Sequence, residues 1–531
     1  MINKKTKNLF IINNIFISLN NLICNLSFRG IIIIQFCLLS FIFANTVLKS
    51  TNTNKWVGTW STAPQLVEPG NNPPSPGLSY NSLRQVVRVS IGGDTLRMRF
   101  SNEFSNSPIK LNSVHIAFSK GNGVIDTTTD KVIYFSGQTD VTIERRSAVM
   151  SDPFQFSVPP LTDLAITIYF GNTPSDLTGH PGSRTTSYIL TGKNVMKEDF
   201  SYAVRTDHWY VINTIEVLSP ETASAISILG NSITDGYGSG TNKQNRWLDE
   251  LARRLQSNNK TKQVAVLNSG IGGNCVLKMC LGPSALNRFE RDVLNQNGVK
   301  WLIILEGIND IGGASGSQGS AKVAQDLISA YEQMIDRAHA KGIIVYGATL
   351  LPFGGSSYDS PDHQNAWRTV NDWIRNSGRF DGVIDFATAI SDPANPTKLL
   401  PIADTGDHLH PNETGHRMMA ETIDLTLFGA ETNTGYNEKL TNVPIRYSLL
   451  QNFPNPFNAS TRILYRVTKE CFVSLRVFDS LGSEISLLVD ELKSAGNYEI
   501  SFNASNLPSG TYYYKLAIEN FSEVRKMILL K

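Results

Sequence analysis

The sequence predicts an α/β protein: a parallel five-stranded sheet between helices, preceded by an all-β sandwich or jelly roll and followed by a small Ig-like β-sandwich. Three observations carry this. Residues 221–430 alternate short apolar runs with stretches whose apolar residues recur every three or four positions, the signatures of buried strand and amphipathic helix. Residues 52–218 hold many short alternating runs separated by Gly, Asn, Asp and Pro, without a helical period. Residues 447–531 repeat that all-β pattern on a smaller scale. A chain of 531 residues accommodates about three domains, and 41% hydrophobic with 18% charged residues suits well-filled cores. A net charge of +2, with no basic run, supplies no electrostatic footprint for nucleic acid.

Residues 1–48 begin with Lys4, Lys5 and Lys7 and reach an apolar stretch from Ile31 to Ala44. That stretch is short for a membrane span and suits the h-region of a signal peptide. Export is expected, with no stable span after cleavage; a retained anchor is the alternative. In the first β region, Gln85–Ile91 and Thr95–Phe100 flank the hairpin signal Gly92-Gly93-Asp94, and Leu164–Phe170 is a further strand. This region is expected either to bind carbohydrate or to serve as a packing partner.

Strands follow at Ala225–Leu229, Val264–Leu267, Trp301–Leu305, Ile343–Thr349 and Val383–Asp385. Between them, helical faces are set by Trp247, Leu251 and Leu255; by Leu286, Phe289 and Val293; by Val323, Leu327 and Met334; and by Trp367, Val370 and Ile374. Such βα units with short connections imply a parallel sheet covered by helices on both sides. A last helix is expected from about Asn412 to Phe428, and residues 431–446 read as a linker. Among the five cysteines, Cys24 and Cys37 lie in the leader and Cys471 reads as a small apolar core residue. Cys275 and Cys280 can pair if their geometry allows. No zinc spacing is present, and neither metal nor cofactor is expected.

Chemistry-bearing residues cluster at the expected carboxyl ends of the strands, where open α/β sheets place their sites. Ser232 follows the first strand in Gly230-Asn231-Ser232. The glycine-rich Asn268–Asn274 follows the second, and Asn309 in Glu306–Asp310 follows the third. Asp407 and His410 lie three apart before the last helix. Each has a plain structural reading as a turn, cap or packing residue. Together they supply what nucleophilic acyl transfer needs: a hydroxyl, a base, a group to orient the base, and donors for an oxyanion.

These blocks resemble an SGNH (GDSL-type) hydrolase across residues 223–428, with Leu305–Gly312 and Gly406–Asn412 especially close. Over roughly residues 55–430, Trp56–Ala63 included, the chain resembles the family's two-domain secreted esterases, related to enzymes acting on acetylated plant polysaccharides. The resemblance implies a flavodoxin-like fold with no metal. It also implies Ser232 as nucleophile, His410 as general base and Asp407 as its orienting carboxylate. The oxyanion hole would be the N–H of Ser232, the N–H of Gly273 and the amide of Asn309. Asn231, Asn274 and His408 are expected near the pocket. The family usually has Asp before the nucleophile; Asn231 departs from that pattern. His408 and His416 rival His410, but only His410 has the Asp-x-x-His spacing, and His416 falls on the expected last helix.

Residues 447–531 resemble a type A sorting domain of the type IX secretion system through Leu449–Asn458, Val477–Gly482, Leu507–Tyr513 and Lys526–Lys531. A generic Ig-like carbohydrate module is the alternative. The implied partners are an acylated carbohydrate or other ester and the type IX machinery, and the implied location is outside, or on the surface of, a Gram-negative bacterium. The expected function is a secreted serine esterase that deacetylates xylan- or pectin-type polysaccharide. The alternatives are a lipase or arylesterase acting on small or lipid esters, and a catalytically decayed glycan-binding surface protein.

Overall fold

The computed structural model describes residues 54–429, 448–449, 452, 457–467, 469–494, 496–519 and 521–530. The expected signal peptide, the 431–446 linker and most of Leu449–Asn458 lie outside the described residues. The chain divides into two compact units between Ala430 and Glu431.

The first unit opens with an antiparallel β-sandwich. Strands Asn54–Ser61, Ile212–Pro220, Gly93–Ser101 and Phe154–Val158 form one sheet, which Ala148–Met150 joins on Gly93–Ser101. Asn81–Arg88, Asp163–Phe170 and Ile109–Gly121 are at the centre of the other. Alternating residues such as Leu96, Met98 and Phe100 on one strand and Leu164, Ile166 and Ile168 on another are fully buried between the sheets, as period-2 patterning requires.

The parallel sheet of the same unit comprises β1 (Ser224–Gly230), β2 (Val264–Gly270), β3 (Val299–Leu305), β4 (Ile344–Ala348) and β5 (Gly382–Ile384), in the order β2-β1-β3-β4-β5. That is the flavodoxin-like order, whose chain reversal beside β1 opens a crevice at the carboxyl ends of the strands. Helices α1 (Trp247–Ser257), α2 (Gly316–His339), α3 (Pro361–Asn376) and α4 (Glu413–Thr422) cover it. On α1 the stripe read from the sequence, Trp247, Leu251 and Leu255, is buried, with Leu248 and Ala252 beside it. The second helical stretch is split, Ala285–Phe289 being followed by a π-turn at Glu290–Leu294.

Two expectations change. The last helix stops at Thr422 because Ile423 turns extended (ψ 121°) and the Asp424 carboxylate caps a new turn through the Thr426 N–H, giving a separate Thr426–Gly429 helix. Helices are also not the whole cover: Ala225, Ala265 and Leu267 of β1 and β2 share the core of the sandwich with Val57. Gly58 permits that approach, since a Cβ there would stand 2.9 Å from Leu267 Cδ1.

The second unit holds two antiparallel sheets around Ile463, Val473, Leu475, Tyr514 and Leu516, with Cys471 buried and unpaired. Among the described residues no helix is long and apolar enough to cross a membrane.

Candidate active site

Strand β1 ends at Gly230, and the chain turns at once into the short helix Ser232–Asp235. Asn231 starts that helix, its side-chain oxygen accepting the Ile233 N–H at 3.1 Å. Ser232 is thereby lifted onto the rim with its own N–H at the open start of a helix. From the far end of the domain, the loop before α4 brings His410 to it. Ser232 Oγ and His410 Nε2 are 2.8 Å apart across 178 residues of sequence. His410 Nδ1 lies 2.6 Å from Asp407 Oδ2, while Asp407 Oδ1 accepts the N–H groups of Leu409 and His410, both at 2.9 Å. The carboxylate fixes the tautomer: Nδ1 carries the hydrogen and Nε2 accepts from the serine. Partial desolvation opposes the charge on Asp407, but its hydrogen bonds from the His410 ring and the two N–H groups outweigh that and hold its pKa down to about 2.

Three donors belong to residues that line one cavity, Ser232, Gly273 and Asn309. The N–H groups of Ser232 and Gly273 have no acceptor among the described residues. Gly273 has φ +69°, and a Cβ there would meet Leu281 Cδ1 at 2.7 Å, so the sharp turn that presents its N–H needs glycine. Asn309 Nδ2 donates one hydrogen to Asn274 O at 2.7 Å, which leaves the other for a ligand. Asn274 O can only accept, which settles the amide orientation and leaves Asn309 Oδ1 to accept from Tyr358 Oη at 3.0 Å. The loop itself is closed by a Cys275–Cys280 disulfide and tied to the third strand's loop by Asp310, which accepts the N–H groups of Val276 and Leu277.

Beneath the rim runs a buried polar network. Arg288 donates to Gly230 O (3.1 Å), Ser269 O (2.6 Å) and Asn274 Oδ1 (3.0 Å), and pairs with Asp292 at 3.2 Å. Glu306 lies 3.8 Å from Arg288. Burial pushes the Glu306 carboxyl up to about 8, against the pull of Arg288. Asn231 adjoins Glu306 and acts to stabilise its charged form, although neither Asn231 Nδ2 nor Glu306 Oε2 has a hydrogen-bond partner among the described residues. An Asp at 231 would add a carboxylate to this buried network, whereas the Asn231 amide adds no charge.

A cavity of about 460 Å³ opens over Ser232, His410, Gly273 and Asn309. Asn231 and Asn274 do not line it; they are buried behind the rim, 1% and 0% exposed. His408 faces away, exposed and paired with Asp404 at 2.5 Å. His416 is on α4 and fully buried between the Trp247 N–H and Tyr237 O, its pKa pushed down to about 4 chiefly by desolvation. Sequence reasoning missed Tyr358 and Glu306. It also missed Tyr237, whose ring lies 4.2 Å from that of His410, and the cavity wall supplied by the sandwich, which includes Glu68, Arg184 and His208. No local pattern marks those residues, because only tertiary packing brings them there. The sandwich also reaches the serine helix: His180 Nε2 contacts Asp235 Oδ1 at 2.8 Å and its Nδ1 contacts Ala63 O at 2.9 Å. Gly182 makes room, since a Cβ there would overlap the Asp235 carboxylate.

A serine hydroxyl on an imidazole, an imidazole on a carboxylate and converging N–H donors together define the serine-hydrolase class of site. Residues 228–418 match the GDSL-like Lipase/Acylhydrolase family, and residues 451–530 match the Secretion system C-terminal sorting domain. The chain thus carries a GDSL-like acylhydrolase domain followed by a type IX sorting domain, and it is a carboxylic ester hydrolase.

Among solved structures, the acetyl xylan esterase AlAXEase is 21% identical over 37% of this chain and 96% of its own, with a TM-score of 0.29. A catalytic mutant of Axe2, an acetylxylan esterase from Geobacillus stearothermophilus, is 20% identical over 38% and 94%, TM-score 0.30. A GDSL-like lipase from Bacteroides thetaiotaomicron VPI-5482 is 20% identical over 38% and 87%, TM-score 0.29. These values carry no argument beyond the likeness itself. No curated protein matches the chain.

Asn231→Asp lowers the melting temperature, because it puts a carboxylate at a position only 1% exposed; a variant that melts like wild type contradicts this account. Because the folded chain keeps a proton on Glu306 that the unfolded chain releases above about pH 4.5, this group's contribution to stability falls as pH rises from about 4.5 towards about 8. Denaturant titrations across that window should therefore give a flatter profile for Glu306→Gln. Tyr358→Phe frees the Asn309 amide to rotate and should lower kcat about tenfold, the worth of roughly one hydrogen bond, with little change in melting temperature.

Proposed function

We propose that Ser232 is the nucleophile, His410 its general base and then the acid for the departing alcohol, and Asp407 the carboxylate that orients His410 and stabilises its cation. The observation that carries this reading is the 2.8 Å contact of Ser232 Oγ with His410 Nε2, backed by Asp407 at 2.6 Å. Ser232 Oγ attacks the ester carbonyl as its proton passes to Nε2. The oxyanion is held by the N–H groups of Ser232 and Gly273 and by Asn309 Nδ2. His410 then gives its proton to the alkoxide, leaving an acyl-serine that water hydrolyses by the same steps reversed. Donors fixed in advance matter because charge collects on that oxygen only near the transition state.

The substrate we infer is an acetylated polysaccharide of xylan or pectin type, met outside the cell or at its surface after signal-peptide export and type IX passage across the outer membrane of a Gram-negative bacterium. The polar wall at Glu68, Arg184 and His208 supports a hydroxylated alcohol, as does the resemblance to two-domain polysaccharide esterases. A second reading, hydrolysis of aryl or lipid esters, is favoured by Leu281, 49% exposed at the cavity, and by Met279, 78% exposed on the same loop.

Ser232→Ala should abolish release of 4-nitrophenol from its acetate without lowering the melting temperature, and undiminished turnover would refute the assignment. In the same assay Asn309→Ala should cost ~10²–10³ in kcat and Asp407→Asn about 10⁴. Acetate release from acetylated xylan and pectin, set against release from aryl and long-chain esters, separates the two substrate readings.

A further inference from the structure

We propose that the N-terminal β-sandwich builds the alcohol subsite of this esterase, and that Arg184 and Glu68 recognise a polyhydroxylated leaving group such as a sugar ring. The inference rests on the ester-hydrolase reading of Ser232 and His410 and assigns the sandwich a part in substrate choice.

The leaving alcohol must depart on the side of His410, since that imidazole hands it a proton. Tyr237 packs its ring on His410 at 4.2 Å, and the Arg184 guanidinium stands 5.4 Å over the Tyr237 ring. Arg184 therefore flanks the route of the departing oxygen. It is held there from both ends. Its guanidinium lies 3.6 Å from the buried Asp235, at the end of the serine helix, and its carbonyl accepts the Asn242 N–H at 3.0 Å. Asn242 Oδ1 in turn accepts the Thr186 N–H at 2.8 Å. A guanidinium so tethered offers hydroxyl groups donors at little entropic cost.

Glu68 lines the same cavity and is half-buried. Gln65 Nε2 donates to one of its oxygens at 2.5 Å and Asn71 Nδ2 to the other at 3.0 Å. Each carboxylate oxygen is aimed by one donor and keeps acceptor capacity for another, the arrangement that receives two hydroxyls of one ring. His208 adds an acceptor. Its Nδ1 contacts Pro181 O at 2.6 Å and must donate there, so the neutral ring presents Nε2 as an acceptor. One fixed cation, one fixed carboxylate and an imidazole nitrogen give the hydroxyl groups of a polyol both donors and acceptors. The wall is also rigidly joined to the chemistry: Gly182, between His180 and Arg184, lies directly against Asp235.

The test compares kcat/KM for methyl 2-O-acetyl-xyloside with that for ethyl acetate, which carries the same acyl group and no ring hydroxyls. Wild type should prefer the sugar ester at least tenfold. Glu68→Gln and Arg184→Gln should each reduce that preference about tenfold or more, mainly through KM, as loss of a hydrogen bond to a charged group predicts. Melting temperatures of both variants identify any loss that comes from misfolding, and a Glu68→Asp variant that keeps part of the preference supports direct recognition. Equal wild-type rates on the two esters overturn the proposal, as do variants that lose both activities in parallel or neither. Retention of ethyl acetate hydrolysis by Ser232→Ala would instead sink the underlying reading, and that outcome is distinct.

Discussion

The contact between Ser232 Oγ and His410 Nε2 joins two loops that the chain separates by 178 residues, and much of the structure can be understood as what keeps them together. Each loop carries much of its own scaffold, and Tyr237 after the serine helix joins them by packing on His410. The serine turn is set by the Asn231 cap, by Arg288 on Gly230 O, and by His180 on Asp235. The histidine loop folds on its own carboxylates: Asp407 gathers the N–H groups of Leu409 and His410, Asp404 gathers those of Gly406 and His408, and Asn412 caps α4. Because each loop is braced by its own hydrogen bonds, the aligned hydroxyl and imidazole have little side-chain freedom.

Below the rim, Arg288 acts as the fastener. A fully buried guanidinium is costly unless its donors are met, and here they reach the ends of β1 and β2, the Asn274 side chain and Asp292. The carboxyl ends of adjacent strands are thus fixed relative to each other at the depth of the site. Glu306 enters the same network with its ionisation suppressed by burial, and a neutral carboxyl beside Asn231 avoids a net negative charge in the interior. The serine turn is held by hydrogen bonds here, where the family's usual residue would bring a charge.

How much was legible in the sequence depended on range. The strands β1 to β5 and their order of appearance follow from apolar runs bounded by Gly, Asn and Asp, and the stripe on α1 follows from spacing. The adjacency of Asp407 and His410 is a local matter of three residues, and so could be read directly. The end of α4 could not, because Ile423 keeps the helical period while its backbone turns extended to bury the side chain. Tyr358 on Asn309, Glu306 beside Asn231, and the approach of segment 180–184 to the serine helix depend on pairs far apart in the chain. Gly182 became meaningful only once Asp235 was seen against it. The pairing of Cys275 with Cys280 lay between these extremes: the spacing allowed it, and the fold of the glycine-rich loop decided it.

The most direct test of the account is covalent. A fluorophosphonate should react once per chain, at a rate that falls when Asp407 or His410 is replaced, and peptide mass mapping should locate the adduct on Ser232. An adduct on any other residue with Ser232 unmodified, or full esterase activity after Ser232 is completely labelled, would contradict it.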